Sequence, residues 1–469
     1  MPDNAALMVK QSFLQHLYEQ DVKKADSYRQ YREYYDGDHP TQLTRKIRRN
    51  LELKTGQNFR DNFCAIVIDA LANRLSVTGF DTGEDLQGEV FGEWWQKNRM
   101  DAEQSHLHTS AVRDGDVYAL VEWDEEQKIP RMSMELAFDG SDGVKMHYSD
   151  ERRGKVAFAS KRWVISEPAD GAGSKRRINL YYPERIEKYV SNGEIESGDW
   201  MPYTDDDDPR WPIPWTRTGT ESGEPLGVPM IHFAYKSGGY NFGKSRMSDA
   251  IPLQNALNMA LIDLVTTAVY EAFGILYMIG DEWGSVNVAP GVILKSERPA
   301  SEVSIGRIPA GDLKQLLELK NDTIMDLARV TSTPLSYFQM SGHIASEGTL
   351  KQQESGLVAD AENAQTNFGN SWEDVMKMGR KLHNTFGTGG MNEDQIISTE
   401  WKPAAVRDES ELINRLAIMG EKLHVSDEML WARAGLTDEE IDVIQGSAQY
   451  QEHRAMSGMA MLLNEDNRE

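Results

Sequence analysis

Hydrophobic residues between Gly243 and Thr333 recur in two blocks of helical spacing, separated by a stretch with a different pattern. Within each block, leucine or isoleucine returns at the period of one helix face. The residues are Leu253, Leu257, Leu261 and Leu264 in the first block and Leu317, Ile324 and Leu327 in the second. Residues 274–312, between the blocks, are rich in Val and Ile and divided by Gly and Pro, which is typical of short strands. The pattern predicts two helices that leave the body of the protein and return, with a small β insert at their tip.

A helix pair of this kind cannot bury both of its faces alone, so we expect neighbouring copies of the chain to cover it. In particular, we expect Leu257, Leu261 and Leu317 to be shielded only in such an assembly. The pattern therefore favours a ring or bundle of subunits over a lone enzyme.

The rest of the chain predicts a mixed α+β fold. Helical spacing covers residues 5–35, 63–75 and 346–386, and the residues after 408 are again helical. Gly356, Gly369 and Gly379 lie inside the longest of these segments. Because glycine disfavours helix by roughly 1 kcal/mol relative to alanine, we expect that helix to be bent or segmented. Strand patterns dominate from Tyr118 to Ile231, and a further strand is expected at 396–401.

Length and charge narrow the possible functions. The chain has 469 residues and a net charge of −25. Its length predicts about two to four domains. The charge argues against wrapping DNA tightly, which requires a basic face, but not against DNA that passes without being gripped. We expect neither a membrane span nor a signal peptide, because long apolar runs and a basic, apolar start are both missing.

One motif suggests an enzyme. Residues Gly238 to Ser245 match the G-x-x-x-x-G-K-[ST] pattern of a phosphate-binding P-loop, in which Gly238 and Gly243 shape the loop, Lys244 reaches the phosphates and Ser245 binds magnesium. The chain downstream does not supply the alternating strands and helices of a nucleotide-binding sheet. The other interpretation is a glycine-rich turn into a helix. A P-loop NTPase thus stays open as an alternative, and a ring-forming adaptor that does not conduct DNA is another.

Other candidate sites carry less weight. His106 and His108 face different sides of a predicted helix, so shared metal binding is not expected. Cys64, the only cysteine, lies in an apolar helical run and reads as a buried thiol rather than a nucleophile. Trp94 and Trp95 are expected in the core or an interface. We predict no metal site and no cofactor.

Taken in order, several segments resemble the portal proteins of tailed bacteriophages, which connect head to tail. These segments are Tyr34–Gly37, Ile68–Leu71, Trp95–Asp101, Asp114–Tyr118, Val228–Ile231, Phe242–Ser245, Gln254–Asn258, Thr333–Pro334, Ser346–Lys351, Trp401–Pro403 and Ala434–Ile441. Each segment alone is a weak match, but together the segments cover nearly the whole chain.

The resemblance implies an α+β portal subunit with a wing, a two-helix stem, a small β-rich clip, a long kinked helix and a helical crown. The parts are the wing at 1–242, stem helices at 243–273 and 313–333, the clip at 274–312, a tunnel loop at 334–349, the long wing helix and a returning strand at 350–404, and the crown at 405–469. His343, Ser346, Thr349 and Lys351 are the residues expected to line the DNA tunnel.

The resemblance also implies function and partners. It implies a non-enzymatic ring, commonly of twelve subunits, at one capsid vertex, through which double-stranded DNA is packaged and ejected. The expected partners are the large subunit of the terminase motor, head-completion or adaptor proteins, and the major capsid and scaffolding proteins. Assembly is expected in the host cytoplasm, with no membrane involved.

Overall fold

The computed structural model describes residues 4–39, 60–83, 85–165, 175–191, 200–204, 209–239, 241–273, 275–279, 299, 301–302, 304–308, 313–338, 347–405, 409–423, 425–434 and 438–447. The chain divides into two compact units, Met1–Ala404 and Ala405–Glu469. Helices and strands are mixed in the first unit, which confirms the α+β class. No helix in the described ranges has the length and apolar character that crossing a bilayer requires.

The helices of the first unit are α1 (Asn4–Asp21), α2 (Ala25–Asp36), α3 (Cys64–Ala72), α4 (Asp85–Lys97), α5 (Met100–Asp114), α6 (Met247–Phe273), α7 (Leu313–Val330) and α8 (Glu347–Phe386). The predicted helix at 5–35 is interrupted by a 3-10 turn at Val22–Lys24. The chain leaves α2 through Gly37, whose φ of 74° is a left-handed conformation that favours glycine.

The strands are β1 (Val77–Asp81), β2 (Asp116–Asp124), β3 (Ile129–Leu136), β4 (Gly143–Tyr148), β5 (Val156–Ile165), β6 (Lys175–Tyr181), β7 (Arg185–Ser191), β8 (Trp200–Pro202), β9 (Ile213–Pro214), β10 (Met230–Ala234), β11 (Ile275–Ile279), β12 (Ser304–Ile308) and β13 (Ser398–Trp401). Their pairings are antiparallel: β10-β2-β3 form one sheet, β4 to β8 follow chain order in a second with β9 beside β7, and β1 pairs with β13. The predicted returning strand is therefore confirmed as β13.

The sheet β10-β2-β3, called the central sheet from here on, shares the main core with the long helix α8. Phe368 and Trp372 of α8 are fully buried, and the Trp372 ring lies 4.9 Å from that of Phe233 in β10 and 5.0 Å from that of Trp95 in α4. The prediction that Trp94 and Trp95 are core residues is confirmed, since both are buried in this cluster.

Both faces of the second sheet are covered within the subunit. Ala159, Tyr181 and Ile186 face the central sheet, whereas Ile178 and Tyr189 face Leu14 and Leu17 of helix α1. Because neighbouring residues of a strand point to opposite faces, this two-sided cover requires apolar residues at odd and even positions alike.

Helix α8 runs unbroken for 40 residues from Glu347 to Phe386, so the prediction of a segmented helix is wrong; a bend within it stays a prediction. Close packing accounts for two of its glycines. A side chain at Gly369 would lie 3.2 Å from Trp401 Nε1, and one at Gly379 would lie 3.1 Å from the Trp94 ring. These positions need small residues for contact with neighbours, not for a break in the helix.

Helices α6 and α7 pack against each other, and the antiparallel hairpin β11–β12 lies between them in the chain. The order of helix, β hairpin and helix is the one that the hydrophobic pattern predicted. The division into wing, stem, clip, tunnel loop and crown stays a prediction.

The second unit contains the helices α9 (Glu409–Leu423), α10 (Asp427–Ala434) and α11 (Asp438–Gly446). The prediction that the tail is helical is confirmed over these ranges.

Candidate functional site: the root of the helix pair

The turn before α6 carries the P-loop-like motif, and its backbone donors are already engaged. The Gly243 N–H donates to Asp116 Oδ1 at 2.6 Å, and the Lys244 N–H donates to the Tyr235 carbonyl at 2.8 Å. The Ser245 hydroxyl donates to the Arg113 carbonyl and accepts the Met247 N–H at 3.0 Å, which caps α6. A phosphate-binding loop needs these N–H groups free for the ligand.

The other residues of the motif also have structural roles within the subunit instead of an arrangement that binds phosphate. Lys244 Nζ lies 2.8 Å from Asp249 Oδ2 in an exposed ion pair. Gly238 has a left-handed φ of 56°, as a tight turn requires. A side chain at Gly243 would collide with the Gly115 carbonyl and lie 2.7 Å from the Tyr235 carbonyl, so this glycine permits close backbone packing. The geometry contradicts the P-loop interpretation and supports the structural turn.

Asp116 holds this turn from the start of β2. Besides the Gly243 N–H, it accepts the Tyr28 hydroxyl at 2.7 Å on Oδ2, and His232 Nε2 lies 2.9 Å from its Oδ1. Burial alone would raise the pKa of Asp116. The hydrogen bond and charge of His232 and the hydrogen bonds from Gly243 and Tyr28 outweigh burial and hold the pKa of Asp116 below its usual value. The carboxylate therefore accepts the Gly243 N–H, one of the donors that a P-loop would offer to a phosphate.

Polar residues on α6 fasten the helix pair to the start of α3. Gln254 accepts the Phe63 N–H at 2.9 Å and donates to the Asp61 carbonyl at 2.7 Å. Asn258 accepts the Asp61 N–H at 3.2 Å. The sequence patterns assigned no role to these two residues, although their spacing of four in an otherwise apolar helix was a usable signal, because it places both on one face.

The predicted packing residues of the helix pair divide into two groups. Leu257, Leu261, Ile324 and Leu327 are buried and Leu253 and Leu264 are half-buried within one subunit. The expectation that Leu257 and Leu261 are shielded only in an assembly is therefore wrong, because the chain covers them itself. Leu317 differs, with 47% of its surface exposed.

Two of the four residues predicted to line the tunnel belong to the part of the chain that the structure describes. His343 and Ser346 lie outside the described residues, whereas Thr349 and Lys351 lie in the first two turns of α8. Their place in a tunnel stays a prediction.

The remaining candidates have structural surroundings. His108 is fully buried, with Nδ1 3.0 Å from the Leu75 carbonyl and Nε2 accepting the Trp372 indole N–H at 3.0 Å. Burial lowers the pKa of His108 to about 4, so it is a neutral core residue. Burial raises the pKa of the Cys64 thiol to about 12, which leaves it unreactive at neutral pH. Among the described residues, no three His, Cys, Asp or Glu side chains converge on a metal position.

The P-loop-like motif thus forms a packed turn at the start of α6. Helices α6 and α7 pack against each other, with the paired strands β11 and β12 between them in the chain. The family model described as "Phage portal protein, SPP1 Gp6-like" matches residues 14–454, so the chain belongs to this family of bacteriophage portal proteins.

Two curated relatives agree with this assignment. The chain is 23% identical over 334 residues to the portal protein of Mycobacterium phage L5 and 23% identical over 339 residues to that of Mycobacterium phage D29. In each case the match covers 68% of this chain and 64% of the relative, so the chain spans a little under two thirds of their length.

Proposed function

We propose that this chain is the subunit of a portal ring, commonly of twelve copies, at one vertex of a phage capsid. The observation that carries the proposal is the family match over residues 14–454. Portal proteins are structural components of the phage particle, so the proposed role is a channel and docking platform and not catalysis. Double-stranded DNA passes through the ring during packaging and ejection.

The helix pair supports a role in assembly. Leu317 and Leu319 of α7 are 47% and 53% exposed, and Met259 of α6 is also exposed. Because Leu317 and Leu319 are two residues apart, they face different sides of α7, and exposed large apolar side chains of this kind mark surfaces that another protein covers. In the proposed ring, α6 and α7 are the stem, and the stems of the neighbouring copies cover these surfaces.

The net negative charge of the chain supports a channel that does not bind DNA tightly. The chain carries a net charge of −25, so phosphates meet a largely repulsive protein. DNA contact is proposed to be local and without base readout, through the loop at 334–349 and through Lys351. The hairpin β11–β12 belongs to the proposed clip, where the terminase large subunit and later the head-completion proteins dock. Major capsid and scaffolding proteins surround the wing.

Native mass spectrometry combined with electron microscopy of the purified full chain tests the proposal. We expect rings of about twelve copies with a central hole wide enough for a ~20 Å duplex, formed alone or on co-expression with the scaffolding protein. A species that stays monomeric under both conditions would refute the ring. Magnesium-dependent ATP binding that Lys244→Ala removes would instead revive the enzyme alternative, and rings without a duplex-wide channel would favour the adaptor.

Deleting residues 339–346 tests the DNA contact. The deletion keeps Phe338, whose ring lies 5.7 Å from that of Phe63. We expect rings of normal mass but DNA packaging reduced at least about tenfold, because the contact is made at the channel and not between subunits. A six-residue deletion within the segment 192–199, which keeps two residues to connect the paired strands β7 and β8, is the control. Unchanged packaging in the 339–346 variant would remove this loop from the mechanism.

A further inference from the structure

Arg246 is a buried cation that the channel function does not call for. It lies one residue before α6, and its side chain is 4% exposed. Nη1 donates to Asp360 Oδ2 at 2.9 Å and lies 3.4 Å from the Tyr235 hydroxyl. Nη2 donates to the Thr331 carbonyl and, at 3.2 Å, to Thr333 Oγ1. A buried guanidinium needs this number of acceptors to offset the loss of water.

Apart from the Tyr235 hydroxyl, the acceptors come from two elements, and Arg246 itself belongs to the start of a third. Thr331 and Thr333 directly follow α7, and Asp360 lies on α8. One guanidinium therefore joins the beginning of α6, the end of α7 and the long helix α8. Because the guanidinium is planar and its donors have fixed directions, it sets the relative positions of all three elements.

Each acceptor is itself held in place. The Thr331 hydroxyl donates to the Leu327 carbonyl at 2.7 Å, and its oxygen lies 2.9 Å from Thr333 Oγ1, which fixes the turn after α7. On the other side, Asp360 Oδ1 lies 2.8 Å from Lys236 Nζ. A shift of roughly 1 Å in one element would break hydrogen bonds to a buried charge, and the penalty for that is large.

We propose that Arg246 is a joint that makes the root of the α6–α7 pair and the first part of α8 move as one body. Asp360 lies thirteen residues after the start of α8 at Glu347, a distance of about 20 Å along the helix. A displacement of the helix pair is therefore passed to the beginning of α8. The joint is a property of the subunit and does not depend on what the ring conducts.

Hydrogen exchange of the assembled full-length protein tests the joint. Asp360→Asn removes the charge that holds α8 but keeps the size of the side chain. If the joint couples the elements, amide exchange accelerates about tenfold or more in both 331–338 and 350–360. Peptide 156–165 in β5 is the internal reference, and its exchange stays unchanged.

The control is Lys236→Gln, which removes the exposed partner of the same carboxylate. We expect less than about a twofold change in either segment, because exposed ion pairs contribute little. Arg246→Lys is the second variant: it keeps the charge but cannot reach Asp360, Thr331 and Thr333 together. It should accelerate exchange in both segments as Asp360→Asn does.

The other outcomes contradict the joint. Acceleration in only one segment means that the contact stabilises one element without coupling it to the other. Equal acceleration in peptide 156–165 means that the substitution lowered global stability only. If neither variant folds, Arg246 is a folding contact, and the proposal fails.

Discussion

The root and the outer part of the α6–α7 helix pair have the same hydrophobic period but different surroundings. At the root, Leu257 and Leu327 are fully buried, and both terminal nitrogens of Arg246 donate hydrogen bonds inside the subunit. Farther out, Leu317 and Leu319 keep about half of their surface exposed. The difference teaches that the chain stabilises one end of the pair itself and leaves apolar surface uncovered at the other end.

The sharpest test of this contrast compares a charge at each end. Leu261→Asp should destabilise the isolated subunit by about 4 kcal/mol. Burial would remove the hydration of the aspartate carboxylate without supplying a hydrogen-bond or ion-pair partner. Leu317→Asp should change the unfolding free energy by less than ~0.5 kcal/mol, since water already reaches this site. Chemical denaturation of the monomeric form measures both.

Ring formation completes the comparison. Leu317→Asp should leave the subunit folded but prevent assembly, as measured by native mass spectrometry. Leu317→Asn, polar but uncharged, is the milder control. Rings of normal stability from Leu317→Asp would show that the outer part of the helix pair is not an interface.

The second prediction concerns the turn at the root. Gly243→Ala should lower stability by about 3 kcal/mol, because its methyl group would collide with the carbonyls of Gly115 and Tyr235. Gly92→Ala is a matched control in helix α4, where an added methyl meets nothing within 4 Å. It should stabilise the protein by up to about 1 kcal/mol. Similar melting temperatures for the two variants would contradict the tight packing described for the turn.

The third prediction uses pH. Asp116→Asn should cost about 2 kcal/mol at pH 7, because the carboxylate accepts hydrogen bonds from Gly243 and Tyr28 and faces His232. The pKa of Asp116 is lowered in the folded state, so the wild-type carboxylate stabilises the fold above its unfolded pKa of about 3.9. This advantage disappears as the pH falls through the lower folded pKa. Urea unfolding at pH 7 and pH 3 should show the difference between the two proteins shrinking.

The smallest effect is expected at a half-buried ion pair outside the root. Arg217 donates to Glu393 Oε1 at 2.9 Å and to Oε2 at 2.5 Å. The hydrogen bonds from Arg217 lower the pKa of Glu393 to about 2. Because solvent screens the pair, Glu393→Gln should cost less than ~1 kcal/mol above pH 5, and the difference should vanish as the pH falls toward 2. A larger effect than that of Asp116→Asn would reverse the expected ranking of the fully buried contact over the half-buried one.

Periodicity predicted the elements well because it reports which face of each segment is apolar. It predicted the helix pair, a small β insert between its helices and the long helix α8. It did not predict what covers an apolar face. Leu261 and Leu317 share one pattern, yet the first meets its own chain and the second is left half-exposed.

The site was harder to predict because its chemistry depends on pairing over long sequence distances. The motif from Gly238 to Ser245 describes backbone N–H groups that can hold an anion, but the pattern is equally met when the anion is a protein carboxylate. Asp116, more than 100 residues earlier, is that carboxylate. Local spacing could have identified Gln254 and Asn258 as polar residues on one helix face, but not Asp61 and Phe63 as the groups that they bind.

The pairing of β1 with β13 bears on how the chain is made. Val77 lies opposite Trp401, so the ribosome synthesises about 320 residues between the two strands. At typical elongation rates this takes on the order of half a minute. Helix α8, which fills the core beside the central sheet, is also among the late segments. Strand β1 therefore stays without its partner, and the core stays open, until β13 has been translated.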